Sequence, residues 1–280
     1  MPAVMQNRDV TALILASNEQ VNIGRGLERL GWLGRVVVVD SGSMDDTARI
    51  CETFPNVEVV VRPFDSHTAQ WNFGLDQVAT EWVLSLDADY MLPQSFPAEV
   101  SGLTPPPELD AYYARFRYCV FGKPLRGSLY PPRAVLFRKS RCRYEQDGHT
   151  QLLRVPGATG QLVSVIDHDD RKPLSHWLSA QRKYAALEAH KLRTTRPLHE
   201  KWPDRVRRMI WPTVPATLLY TLFAKRLILD GWAGWLYALQ RTYAELLLAL
   251  ELLDAQLRPS EADAADSESE GVSTVRRESP

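Results

Sequence analysis

The chain has 280 residues, 45% of them hydrophobic and 24% charged, with a formal net charge of −1. These values exclude a disordered chain and leave room for one large core, or for a domain with an appendage. No nucleic-acid partner is expected. The three cysteines (Cys51, Cys119 and Cys142) are odd in number and lack metal-site spacing. Buried or free thiols in a reducing compartment are expected. Residues 1–9 are polar and carry no signal-peptide pattern.

Val10-Thr11-Ala12-Leu13-Ile14-Leu15-Ala16 is a short apolar run suited to a buried parallel strand. Ser17-Asn18-Glu19-Gln20 breaks it, and residues 21–30 have helical spacing. Residues 35–40 form a second buried strand, almost pure valine, ending on Asp40. Residues 41–47 are a turn leading into a helix over 48–54, with Asp45 and Asp46 read as caps. Residues 57–61 are a third strand, 68–78 a helix and 81–86 a fourth strand. Such alternation predicts right-handed crossovers and a parallel sheet. Parallel sheets bind ligands beyond the carboxyl ends of their strands, where Ser17, Asp40, Asp87 and Asp89 all fall.

The fourth strand runs into Asp87-Ala88-Asp89. Residues two apart on an extended chain point the same way, so both carboxylates can serve one divalent cation and the group beside it. Hard cations take oxygen ligands, often one or two carboxylates plus substrate phosphates. Taken alone, such a pair is more often a solvated acidic turn.

Leu15-Ala16-Ser17-Asn18-Glu19, residues 39–47, Gln70-Trp71-Asn72-Phe73-Gly74 and Asp87-Ala88-Asp89 change that balance. In order and spacing they resemble the family 2 glycosyltransferases of the GT-A fold, in particular the lipopolysaccharide-core β-glucosyltransferase type. The likeness is specific over residues 10–93, looser to Arg193 and general beyond. It implies a Rossmann-like α/β fold and inverting transfer of a sugar from a nucleotide-diphosphate sugar, UDP-linked, to a glycan or lipid-linked acceptor. It also implies a divalent cation, Mg²⁺ or Mn²⁺. By the same resemblance Ser17 and Glu19 line the nucleotide pocket, Asp40 accepts a hydrogen bond from the base, and Gln70 and Asn72 help hold the donor. Asp87 and Asp89 serve the metal and diphosphate. Many related enzymes add a late histidine to the cation, which here is His168, and the adjacent Arg171 and Lys172 are cations able to neutralise the departing diphosphate. A nucleotidyltransferase is an alternative, although it calls for a Gly-rich basic loop where Ser17-Asn18-Glu19 stands. A non-catalytic scaffold on the same fold is another.

In the middle of the chain, residues 111–118 and 133–138 alternate like strands, with a loop over 121–127 between them. Inverting transfer needs a base to deprotonate the acceptor hydroxyl as it attacks. Asp147 and His149 are the candidates, with Asp147 preferred. The related branch carries His-Glu where this chain has His149-Thr150, so the assignment stays open between them. Farther on, Trp177, Gln181, Tyr184 and Glu188 share one helical stripe, able to grip a sugar or simply to pack.

Residues 209–224 and 231–240 are uncharged, but each run is shorter than the ~20 residues a spanning helix needs. Trp202, Trp211, Tyr220, Trp232, Trp235 and Tyr237 crowd this region, and Arg205, Arg207, Arg208, Lys225 and Arg226 flank it. That mixture suits an anionic membrane surface, here the inner, cytoplasmic face. A helical hairpin packed on the catalytic domain, or a homo-oligomer contact, is the alternative. Residues 261–280 hold six acidic and two basic side chains and are expected to be disordered. The organisation expected is a tail over 1–9, a GT-A catalytic domain over 10–198, a helical apolar region over 199–257 and an acidic tail over 258–280.

Overall fold

The structure is a computed structural model. It describes residues 4–147, 150–194 and 202–258, without the side chains of Asp147, Thr150, Trp202, Pro203 and Asp204. The domain boundary expected at 198/199 and the acidic tail lie outside the described residues.

The chain begins β1 (Val10–Ala16), α1 (Ile23–Leu27), β2 (Val36–Asp40), α2 (Thr47–Cys51), β3 (Val57–Val61), α3 (His67–Gln77) and β4 (Trp82–Asp87). It continues β5 (Tyr90–Met91), α4 (Phe96–Ser101), β6 (Leu109–Val120), β7 (Lys123–Pro124) and β8 (Arg133–Arg138). Then come β9 (Arg143–Asp147), β10 (Thr150–Arg154), β11 (Ala158–His168), α5 (Leu174–Thr194), α6 (Trp202–Arg208), α7 (Thr213–Leu219) and α8 (Trp232–Leu257).

The sheet runs β3-β2-β1-β4-β8-β6-β11-β5. Its first four strands are parallel, as their alternation with helices predicts. The rest corrects the expectation of a parallel sheet: β8 is antiparallel to both β4 and β6, β11 is parallel to β6, and β5 is antiparallel to β11. The predicted helix over 21–30 shortens to α1, where Gly24 and Gly26 weaken helical preference. The expected loop over 121–127 is a tight hairpin in which Phe121 and Gly122 both have positive φ, the backbone of a two-residue turn.

The parallel strands are buried on both faces, which is why they read as continuous apolar runs. Ile23, Leu27 and Phe96 cover one face; Trp71 and Leu75 of α3 cover the other. Gly74 lets α3 approach β1 closely, since a Cβ there would lie 2.6 Å from Leu13 Cδ1. All three cysteines are buried and unpaired.

The described residues fall into two compact units, one of those up to Trp177 with 221–237, the other of those from Leu178 to Tyr220 with 238–258. In the first, Leu227, Ala233 and Tyr237 pack with Val120 and Leu125, and buried Asp230 accepts hydrogen bonds from Arg126. This second apolar run is thus partly core. The second unit is held by Ala189, Leu192, Ile210, Leu248 and Leu252, with Arg207 paired to Glu245 at 2.8 Å. No described helix is long and apolar enough to cross a membrane.

Candidate active site

The carboxyl ends of the parallel strands bring the expected acidic residues to one edge. Asp40 is level with Ala16 and Asp87 is level with Leu15, so they flank the end of β1. Two strand spacings put their backbones about 10 Å apart. Ser17 follows β1 and is exposed.

Below it the 17–20 and 43–47 loops are laced together. Ser43 Oγ accepts from the Asn18 N–H at 2.9 Å, Thr47 Oγ1 from the Glu19 N–H at 2.7 Å, and Asn18 Oδ1 from the Met44 N–H at 2.9 Å. Asn18 sits at φ 53°, a conformation asparagine tolerates. Asp40 is buried and accepts from the Ser43 N–H and hydroxyl, which shapes this turn. Of the two aspartates expected as caps, Asp45 accepts from the Thr47 backbone, while Asp46 pairs with Arg49.

Asp89 and His168 meet across 79 positions of sequence. His168 Nε2 lies 2.9 Å from Asp89 Oδ2, and the ring stands among Tyr90, Tyr118 and Tyr130 at centroid distances of 5.5, 4.8 and 4.8 Å. Burial opposes the charge on Asp89, but His168 outweighs it and holds the carboxyl below its usual range. The same pairing holds His168 above the usual imidazole range in spite of burial. Asp89 Oδ1 and His168 Nδ1 are buried and have no hydrogen-bond partner among the described residues. No group of three or more His, Cys, Asp or Glu among the described residues is arranged to hold a metal. The orphaned Asp89 oxygen fits a cation that takes its remaining ligands from a diphosphate, the habit of Mg²⁺.

Glu19 lies beside this pair. It is ion-paired with Lys172 and accepts from Asn22 at 2.9 Å. Arg171 pairs with Asp169, which also binds Arg25. Both cations expected near a diphosphate are therefore engaged within the protein. Gly122 makes room here, since a Cβ on it would meet Arg171 at 2.9 Å. Burial pushes the Glu19 carboxyl up to about 7; Lys172 pulls it down and Asp89 pushes it up. The folded state then holds a proton that an unfolded glutamate releases near 4.5, so this stabilisation is complete at acid pH and lost as pH rises through 7. The stability of wild type relative to Glu19→Gln should fall by up to about 3 kcal/mol between pH 4.5 and 8. Urea denaturation at several pH values tests this; parallel curves would refute it.

On the other side of β4 lies a cavity of about 230 Å³ that Asp87 shares with Trp71, Tyr90, Tyr113, Arg133 and Tyr144. Tyr144 is fixed three ways. Its ring stacks on Trp71 at 5.2 Å, its hydroxyl meets Ser85 Oγ at 2.7 Å, and its backbone exchanges two hydrogen bonds with the Asn72 amide. Asn72 thus acts on the cavity wall through Tyr144. Gln70 is fully buried, donating to Ser41 Oγ and the Arg62 carbonyl and accepting from Arg62.

Asp147 ends β9 opposite Thr150 of β10, on the hairpin that supplies Tyr144, Gln151, Leu152 and Leu153 to the cavity. The Asp147 side chain and all of His149 lie outside the described residues. The stripe on α5 is half-buried; Trp177 closes the first unit, while Gln181 and Tyr184 belong to the second. Sequence reasoning missed Arg133, Tyr113 and Tyr144 as cavity residues. Their signal was alternation on strands whose sheet neighbours it left unassigned.

The glycosyl transferase family 2 model matches residues 11–149. Those residues form a family 2 glycosyltransferase domain. A Rickettsia typhi glycosyltransferase, itself uncharacterised, is 30% identical over 108 residues, 38% of this chain and 37% of that protein. The lipopolysaccharide core biosynthesis glycosyltransferase LpsC of Rhizobium meliloti is 30% identical over 87 residues, 30% of this chain and 32% of its own length. The chain thus matches about a third of the length of these relatives. Among solved structures, S. aureus TarS 1–349 with UDP-GlcNAc gives a TM-score of 0.49 at 13% identity, covering 90% of this chain and 92% of that one. Glucosyl-3-phosphoglycerate synthase from Mycobacterium tuberculosis, bound to phosphoglyceric acid, gives 0.44 at 15% identity, covering 65% and 78%. The family 2 domain and its mixed α/β sheet agree with the GT-A-like fold implied by the sequence.

Proposed function

We propose that the chain transfers a sugar, with inversion, from a UDP-sugar to a glycan or lipid-linked acceptor. The observation that carries this is the convergence of Asp40, Asp87 and Asp89 at the carboxyl edge of a family 2 domain. Asp40, with Ser17 and Glu19, is on the side offered to the nucleotide. Asp87 and Asp89, beside His168, would hold a divalent cation, which would neutralise charge on the departing diphosphate. The acceptor oxygen attacks the anomeric carbon, the bond from that carbon to the diphosphate oxygen breaks, and the hydroxyl proton passes to Asp147 or His149. Asp147 is preferred because its strand carries Tyr144 into the cavity wall. The test is incubation with a panel of nucleotide sugars and Mn²⁺. Slow release of nucleoside diphosphate from one of them is expected; no release, and no thermal stabilisation by any donor, would sink the reading.

A lipid-linked acceptor calls for work at a membrane surface. Residues 221–237 expose Phe223, Ile228, Leu229, Trp232 and Trp235, with Lys225 and Arg226 among them. Aromatic and aliphatic side chains beside basic ones suit an anionic leaflet, each basic group contributing about 1 kcal/mol. Because Leu227 and Tyr237 are core, substitution is a cleaner test than truncation. The full chain should pellet with anionic vesicles less strongly as salt rises, and Leu229→Ser with Trp232→Ser should weaken pelleting at every salt concentration. Equal, negligible pelleting of both would favour an oligomer contact instead.

A further inference from the structure

Arg133 opens β8, opposite Ala114 of β6 and three residues before the stretch of β8 that pairs with β4, and its guanidinium lies 4.8 Å from the centre of the Tyr130 ring. It lines the cavity with Asp87, Trp71, Tyr113 and Tyr144. Among the described residues it makes no hydrogen bond and no ion pair. Nearby cations differ: Arg138 donates to the Leu109 carbonyl, Arg141 pairs with Asp110, and Arg143 with Asp76. A half-buried guanidinium whose N–H groups meet only an aromatic face is costly unless something in the cavity accepts their hydrogen bonds. Its planar fork suits carboxylate or phosphate, which it can bind through two parallel hydrogen bonds. The aromatic side chains around it offer flat apolar surface with polar rims.

The strand order separates this cavity from the nucleotide side. Asp40 lies at the end of β2, across β1 from Asp87, whereas Arg133 lies on β8, beyond β4. We infer that Arg133 holds an anionic group, carboxylate or phosphate, on the acceptor sugar, and so selects a charged acceptor over a neutral one. This rests on the transferase function proposed above, and the experiment separates the two.

The full chain is titrated by NMR with methyl glucoside, glucuronic acid and glucose 6-phosphate, with and without saturating UDP and Mn²⁺. UDP affinity is measured on its own by calorimetry. Either anionic sugar should bind about tenfold or more tighter than methyl glucoside, the scale of one hydrogen-bonded charge. Arg133→Gln should erase that preference, and Arg133→Lys should keep part of it, with UDP affinity unchanged in both. No preference in wild type would overturn the inference while leaving UDP binding, and the transferase reading, intact. Loss of UDP affinity in Arg133→Gln, with the sugar preference retained, would also overturn it, since the guanidinium would then serve the donor diphosphate. If wild type bound no UDP yet kept an Arg133-dependent preference, the anionic-sugar site would stand and the donor assignment would fall.

Discussion

Asp89→Asn is expected to remove the cation dependence of UDP binding while the chain stays folded. The substitution is nearly isosteric and keeps a hydrogen-bonding group toward His168, which lies 2.9 Å away. It removes the charge a hard cation needs and neutralises the orphaned Oδ1. Asp87→Ala should act likewise, because Asp87 faces the cavity from the end of β4 rather than the core. The loss of Mn²⁺-assisted affinity should be at least the roughly 10–100-fold that removal of a supporting second-layer partner costs. Calorimetry of UDP binding with and without Mn²⁺ measures it, and thermal melting checks the fold. UDP binding with the wild-type response to Mn²⁺ in both variants would show that these carboxylates do not hold the cation.

Asp147→Asn is expected to lower turnover by roughly two to four orders of magnitude, the usual scale of general-base catalysis. UDP affinity should stay near wild type, since Asp40 and the 17–20 loop are elsewhere on the sheet edge. The hairpin should survive the change. It is anchored to α3 by the Asn72 amide on Tyr144, by Arg143 on Asp76 at 2.7 Å and by Thr68 on Gln146 at 2.9 Å. A drop in kcat at unchanged UDP affinity therefore reports chemistry rather than folding. Near-normal turnover in Asp147→Asn, with a collapse in His149→Ala, would move the role to His149.

The sequence by itself determined the parallel half of the sheet and its acidic edge. Strands buried on both faces are continuous apolar runs, so residues 10–16, 36–40 and 82–87 stand out without any knowledge of partners. Their ends carry Ser17, Asp40 and the Asp87–Asp89 pair, and the rule that ligands bind at carboxyl ends needs only the strand direction. The tertiary structure alone decided the other half. Nothing local tells β8 to run antiparallel beside β4, because pairing between distant segments is set by registry across the whole sheet. That pairing brings Arg133 to Asp87, and the return of β11 beside β5 and β6 brings His168 to Asp89. Asn72 shows the difference most clearly: its motif marks it for the donor, yet only the packing of α3 on β9 commits its amide to the backbone of Tyr144. Periodicity is a property of neighbours along the chain, whereas the Asn72–Tyr144 and Asp89–His168 contacts join residues 72 and 79 positions apart that share no pattern until the sheet closes around them.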